Sequence, residues 1–384
     1  MNQSEISSGL REVIANISAS YVYLDQKEID TECLISTYEK KIKTLTSQED
    51  VILFYEYLFD ELYDSHVSLN TNIKSSYRLY APIYANFEDN KPIIRQGWIS
   101  QVENPPVGFL GAEILKLNGV DVEEVIARFP TECQDKTDPK VKEWLLNKVL
   151  AGRYDQPRVL ELMTQKGTLL ELDLDQIQLK APNTLVSSER IGKTGIIRIN
   201  NTLGNNDLIS EFDIALDQLM DTEGIIIDLR NTVSGGNSYV ARGIMSRFIE
   251  EEKPYQKHLF PAKWDGQTQV NRTWMEYVTP RGIQYQKPVV VLVGRWTGSM
   301  GEGLAIGFDG MERATVVGTE MARLAGEVNG FSIKHQSFGF QLPTAKLYHV
   351  NGQAREAFSP EAYVPQTTSE IDETMIYALE ILSQ

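Results

Sequence analysis

Two short segments of this chain are apolar almost throughout: Gly224–Leu229 (GIIIDL), followed by Arg230, and Pro288–Val293 (PVVVLV). Successive side chains of a strand point to opposite faces, so a half-exposed strand alternates polar and apolar residues. A strand that is apolar on both faces must be covered on both sides, as parallel strands are in α/β layers. The flanks agree. From Gly195 the chain alternates strand and helix signals: GIIRIN, an amphipathic run at Leu208–Met220, the first apolar strand, a helix at Ser238–Phe248, then the second apolar strand. The C-terminal half is expected to be an α/β unit.

Residues 2–75 carry helical periodicity instead, at Ser7–Ser18, Glu28–Leu45 and Ser47–Tyr63. In the third segment Val51, Phe54, Tyr55, Leu58 and Leu62 fall on one face, and Ser47 with Asp50 has the form of a capping box. The pattern breaks at Asp64-Ser65-His66, after which Val67 and Leu69 alternate like a strand. From about Tyr77 the period is two: LYAPIYANF and PIIRQGWI read as strands joined at Glu88-Asp89-Asn90. A short strand, an Asn118-Gly119 turn and a helix start follow. A helix near Lys140–Leu150 and strands at Arg158–Met163 and Leu169–Leu174 close this α+β region. The polar stretch Lys180–Lys193 is the best linker candidate, giving expected regions of 1–75, 76–180 and 181–384.

With 384 residues, 42% hydrophobic and 23% charged, the chain is globular in composition and long enough for two packed cores or more. Its formal net charge of -16 repels phosphate backbones and anionic lipid surfaces, and no Lys/Arg cluster offsets it, so no nucleic-acid partner is expected. The first 24 residues lack an apolar signal core, and no run of about 18 apolar residues occurs, so no membrane span is expected. If Met1 is the native start the expected compartment is the cytoplasm; if a signal peptide was removed it is the periplasm or the exterior. The two cysteines, Cys33 and Cys133, are too few for a disulfide scaffold and lack metal-site spacing. The four histidines, His66, His258, His335 and His349, are isolated, so neither a metal site nor a cofactor is expected. Nothing in the pattern sets an oligomeric state.

Chemistry concentrates in residues 289–318, VVVLVGRWTGSMGEGLAIGFDGMERATVVG. A buried strand ends, small residues turn, and a helix begins at about Met300. Ser299 then sits at a strand-to-helix corner beside unpaired helix N–H groups, the mechanics of a nucleophile elbow with Thr297 in place of the first Gly. A plain N-cap serine would look the same locally. The second element is Asp228-Leu229-Arg230-Asn231-Thr232-Val233-Ser234-Gly235-Gly236-Asn237, where a buried strand enters a Gly-Gly turn able to aim N–H groups at a developing oxyanion. An ordinary β-to-α turn is the plainer reading. A dinucleotide reading of Gly301-Glu302-Gly303 fails because Ile306 holds the third glycine position, and no Gly-Lys-Ser/Thr loop occurs.

Taken together, DLRNTVSGG, then PVVVLVGRWTGSMGEGLAIGFDGMERATVVGTE, then FQLPTAKLYHVNGQAREAFSPEAYV resemble the carboxy-terminal processing (tail-specific) serine proteases. Ser299-Met300-Gly301-Glu302 and Arg313-Ala314-Thr315-Val316-Val317-Gly318 match that family's motifs, and GAEILKLNGVDVEEV is similar to its PDZ-like module. The resemblance implies a crotonase-like α/β catalytic domain, a PDZ-like α+β module and a peptide or protein substrate. The Ser/Lys branch places its lysine a few residues after the motif glycine. Thr319–Glu327 holds no lysine, and Arg323 stays protonated at any working pH. The resemblance is instead to the tricorn-like branch with its Ser-His-Ser-Glu tetrad. It implies Ser299 as nucleophile, His66 as base, Ser65 and Glu356 as orienting groups, and N–H groups of Gly235 or Gly236 and Met300 as the oxyanion site. A non-catalytic, peptide-binding relative is the alternative.

Overall fold

The computed structural model describes residues 2–264 and 268–383, and the chain forms two compact units. One comprises Met1–Gly97, Asn104–Gln178 and Gly326–Ala345; the other comprises Trp98–Glu103, Leu179–Ala325 and Lys346–Gln384.

The first unit opens with helices α1 (Gln3–Ser20), α2 (Thr31–Lys41) and α3 (Gln48–Asp60). Each starts on a side chain that satisfies free N–H groups: Asn2, Asp30 and Ser47. At α3 the capping box is reciprocal, with Asp50 N–H on Ser47 Oγ at 3.1 Å and Ser47 N–H on Asp50 Oδ2 at 2.9 Å. Val51, Phe54, Tyr55 and Leu58 are buried along one side of α3, as the periodicity requires. The strand β1 (Ser68–Leu69) follows. A five-strand path with order β2-β3-β4-β6-β7 comes next. Its strands are β2 (Ile83–Glu88), β3 (Lys91–Gly97), β4 (Glu113–Leu117), β6 (Val159–Met163) and β7 (Leu169–Asp173), with β5 (Val120–Asp121) pairing β4. Asp89 and Asn90 both have positive φ, which matches a tight hairpin turn between β2 and β3. Helices α4 (Val122–Ala127) and α5 (Pro139–Ala151) complete the core, Ile94, Ile114, Leu145, Leu146, Leu160 and Leu162 being essentially inaccessible.

Cys33 and Cys133, left unpaired by the sequence reading, form a disulfide with Cα atoms 5.8 Å apart across a sequence separation of 100. That separation hides the pair from any spacing rule. Packing of α2 beside the segment after α4 brings them together, and the carboxylate of buried Glu61 accepts the Glu132 and Cys133 N–H groups at 2.8 and 3.0 Å.

The second unit contains β8 (Val186–Ile191), β9 (Thr194–Ile199), α6 (Asp207–Asp217), β10 (Gly224–Asp228) and α7 (Ser238–Met245). The long hairpin of β11 (Lys253–Trp264) and β12 (Thr268–Val278) follows, then β13 (Val289–Val293), α8 (Met300–Gly310) and β14 (Thr315–Gly318). The chain returns to the first unit for β15 (Glu327–Ser332) and most of β16 (Gly339–Tyr348), whose first part pairs with β15 and β1. The last residues of β16 pair with β11 in the second unit, before β17 (Ala362–Tyr363) and α9 (Glu373–Leu382).

The central sheet has the order β17-β14-β13-β10-β9-β8, parallel except for the edge strand β8. Ile225, Ile227, Val289 and Val291 pack toward Phe212, Ile244, Leu304 and Phe308 from α6, α7 and α8. The alternate residues Ile226, Val290, Leu292 and Val317 pack toward Ala378 of α9. Both faces are covered, and this is why β10 and β13 tolerate almost no polar residue. Part of the stretch read as linker is β8, where Val186 alone is buried, so no alternation betrays the strand. Among the described residues no helix is long and apolar enough to cross a membrane.

At the end of β10 the buried Asp228 carboxylate takes two hydrogen bonds from the Arg230 guanidinium, at 2.9 and 2.8 Å, one from the Arg230 N–H at 3.1 Å, and one from Arg198 at 3.0 Å. Burial alone would raise this acid; the two guanidinium charges more than reverse it and hold it well below the usual carboxylate range. Arg230 continues to Asp372 at 2.6 Å, so the Asp-Leu-Arg motif ties the sheet's end to the N-cap of α9.

Candidate active site

Ser299 is the residue before α8, and its backbone has φ 51° and ψ -112°. A residue with a Cβ rarely adopts positive φ, so the corner is sharp and held by its surroundings. Those surroundings are two turns laced together. Gly298 N–H donates to Thr232 C=O at 2.9 Å, and the Thr297 hydroxyl donates to Leu229 C=O at 3.0 Å while accepting Gly294 N–H at 3.1 Å. Thr297, a departure from the hydrolase elbow pattern, therefore supplies two bonds that a glycine could not. At Gly298 a Cβ would lie 2.6 Å from Val233 O, so only glycine fits.

Gly235 (φ 59°) stands directly against the serine. A Cβ there would lie 2.3 Å from Ser299 Cβ, 2.7 Å from its Oγ and 2.9 Å from Met300 N. Among the described residues no acceptor takes the N–H groups of Gly235 or Met300. Gly236 serves a different neighbour: a Cβ on it would strike the Leu203 carbonyl carbon at 2.0 Å. The structure thus groups Ser299, Met300 and Gly235, with Gly236 turned to the segment after β9.

The remaining expected residues lie on other segments of the chain. Glu356 lies on a single 3-10 turn, Arg355–Ala357, half-buried, with its Oε2 inaccessible and without a hydrogen-bond partner among the described residues. Ser65 and His66 belong to the first unit. His66 is 5% exposed; its N–H donates to Asp64 Oδ1 at 2.9 Å and its C=O accepts from Gln341 at 3.0 Å. Ser65 is exposed, and its Oγ accepts the Trp144 indole N–H at 3.1 Å.

One feature escapes the sequence reading. Trp98 stacks on Trp296, ring centroids 5.3 Å apart and planes 6° from parallel, while its indole N–H reaches Arg230 C=O and Asn231 Oδ1, both at 3.0 Å. Ser100 Oγ adds a 2.7 Å bond to the same Asn231 oxygen, so the segment Trp98–Glu103 braces both turns of the site. No local signal marks such a brace. Glu302, in contrast, was visible as the fourth residue of Ser-Met-Gly-Glu. It is wholly buried, and burial pushes its carboxyl up to about 7, against the opposing charge of Arg355 and the N–H groups of Ser299, Leu324 and Arg323. Among the described residues no group of three or more His, Cys, Asp or Glu side chains could hold a metal ion.

Comparison with known proteins bears directly on this corner. Residues 193–363 match the model of peptidase family S41. Among solved structures, mature CPAF superposes with a TM-score of 0.66 at 15% identity, covering 99% of this chain and 96% of that one. A peptidase from Parabacteroides merdae described as putative gives 0.62 at 14% identity, covering 100% and 98%, and the photosystem II D1 C-terminal processing protease gives 0.55 at 15%, covering 100% and 97%. At such identities the likeness is one of fold. The family match spans both laced turns, β14 and the Glu356 turn, so residues 193–363, which carry Ser299, are the part of the chain that is similar to peptidase family S41.

Proposed function

We propose that the chain is a serine endopeptidase in which Ser299 attacks the scissile carbonyl and His66 accepts its proton, later returning it to the leaving amine. Ser65 and Glu356 orient this machinery, as the third member of a triad does. The N–H groups of Gly235 and Met300 receive the oxyanion. One observation carries the reading: the hydroxyl of a positive-φ corner serine lies beside two N–H groups that no acceptor among the described residues uses. A preorganised donor of that kind is worth about 10²–10³ in rate. The absence of lysine from Thr319–Glu327 favours histidine as base.

In the same reading residues 181–384 form a crotonase-like catalytic domain, residues 76–180 a PDZ-like module and residues 1–75 a helical region that supplies the base. The antiparallel β2–β3 pair, β4 and the two helices α4 and α5 support the PDZ-like comparison. Substrates are peptides or proteins. A fluorophosphonate probe tests the proposal: it should label the wild-type chain and spare Ser299→Ala. A folded wild-type chain that resists the probe would make it a peptide-binding relative without catalysis.

A further inference from the structure

Glu302 has no part in the chemistry proposed above, yet its environment is unusual for a helix cap. Its Oε2 accepts the N–H of Ser299 at 2.8 Å and the N–H of Leu324 at 3.2 Å, while its Oε1 has no hydrogen-bond partner among the described residues. The Leu324 peptide is held from its other end too, because its C=O accepts from Arg355 Nη2 at 2.9 Å. Arg355 is 2% exposed and immediately precedes Glu356 in the 3-10 turn. A chain of three bonds therefore runs from the main chain of Ser299, through Glu302 and the Leu324 peptide, to the turn bearing Glu356.

We infer that Glu302 is a positioning residue: with Arg355 it fixes the backbone of Ser299 against the turn that carries Glu356. The inference rests on the peptidase reading of Ser299 and Glu356. Physical cost supports it. An ordinary capping acid lies at the surface, where water still solvates its free oxygen. Here the acid is buried completely, at a desolvation cost that exposed capping would avoid. The return is a fixed acceptor for the N–H of a residue whose φ of 51° is disfavoured. It also clamps residues 319–325, which follow β14 and carry no lysine of their own.

The test compares wild type, Ser299→Ala, Glu302→Ala, Glu302→Gln and Arg355→Met, using the fluorophosphonate labelling rate, kcat and KM on casein, and circular dichroism. Misplacing a reacting group by about 1 Å costs up to about 10²-fold, so Glu302→Ala should lose roughly 10- to 100-fold in labelling rate and kcat, with KM little changed. Glu302→Gln, which keeps an acceptor oxygen of the same reach, should recover most of that loss. Arg355→Met should lose kcat in the same direction, and it reads the circuit if Glu302→Ala does not fold. A folded Glu302→Ala or Arg355→Met that labels at the wild-type rate, a change in KM alone, or a Gln variant no better than Ala would overturn the inference. Equal labelling of wild type and Ser299→Ala would instead remove the underlying serine assignment.

Discussion

Gly235 lies so close to Ser299 that any side chain would displace the nucleophile: its Cβ would fall 2.3 Å from Ser299 Cβ and 2.7 Å from Oγ. Gly235→Ala should therefore lower kcat by at least about 10²-fold, the value of one oxyanion donor, while circular dichroism stays native. Strain at φ 59° adds a stability loss of about 1–3 kcal/mol. Wild-type turnover by this variant would remove the oxyanion role of Gly235.

Ser299→Ala should abolish hydrolysis and leave thermal stability close to that of wild type. The half-buried corner residue contributes little packing, and changes within about 0.5 kcal/mol move the Tm by only a couple of degrees in a chain of this size. Residual hydrolysis at the wild-type rate would place the nucleophile at another residue.

Replacement of His66 tests the base. General-base help is worth about 10²–10⁴, so His66→Ala should lose activity in that range, and His66→Lys should not restore it, since a flexible ammonium cannot reproduce the reach of an imidazole. Steady-state kinetics on casein decide the matter; a His66→Ala enzyme as fast as wild type would exclude the assignment.

Glu302 predicts a pH dependence of stability. Its folded-state value is pushed up to about 7 by burial, from an ordinary value of 4.5. Between those values the folded chain holds a proton that the unfolded chain has released, so stability is greatest below about 4.5, falls as pH rises toward 7, and then levels. The full effect is on the order of 3 kcal/mol. Urea titrations of wild type and Glu302→Gln at several pH values isolate it, because the amide does not titrate. Parallel curves for the two proteins would show that the acid ionises as freely in the folded chain as in the unfolded one.

The disulfide closes a loop with a sequence separation of 100, for which chain entropy gives about 4–5 kcal/mol. Double replacement of Cys33 and Cys133 by alanine, or reduction with dithiothreitol, should lower the urea midpoint accordingly. An unchanged midpoint would show that the helical packing and the Glu61 contacts hold this region without it.

The parts of the molecule readable from sequence are those set by local periodicity. The nearly all-apolar runs of β10 and β13 announced a sheet covered on both faces, because neither face of these strands is open to water. Asp89-Asn90 and Asn118-Gly119 marked turns, and Ser47 with Asp50 marked a helix start. The helix beginning at Met300 followed from small residues after a buried strand. Contacts between residues distant in sequence were left to the tertiary structure. It paired Cys33 with Cys133, set Gly235 rather than Gly236 against Ser299, laid Trp98 on Trp296, and buried Glu302 between Ser299 and Leu324. It also recruited Val186–Ile191, whose side chains are mostly exposed, as an edge strand through backbone bonds that leave no pattern in the residues. The division has one physical cause: propensity, capping and alternation act within a turn or a strand, whereas these contacts exist only when separate elements pack.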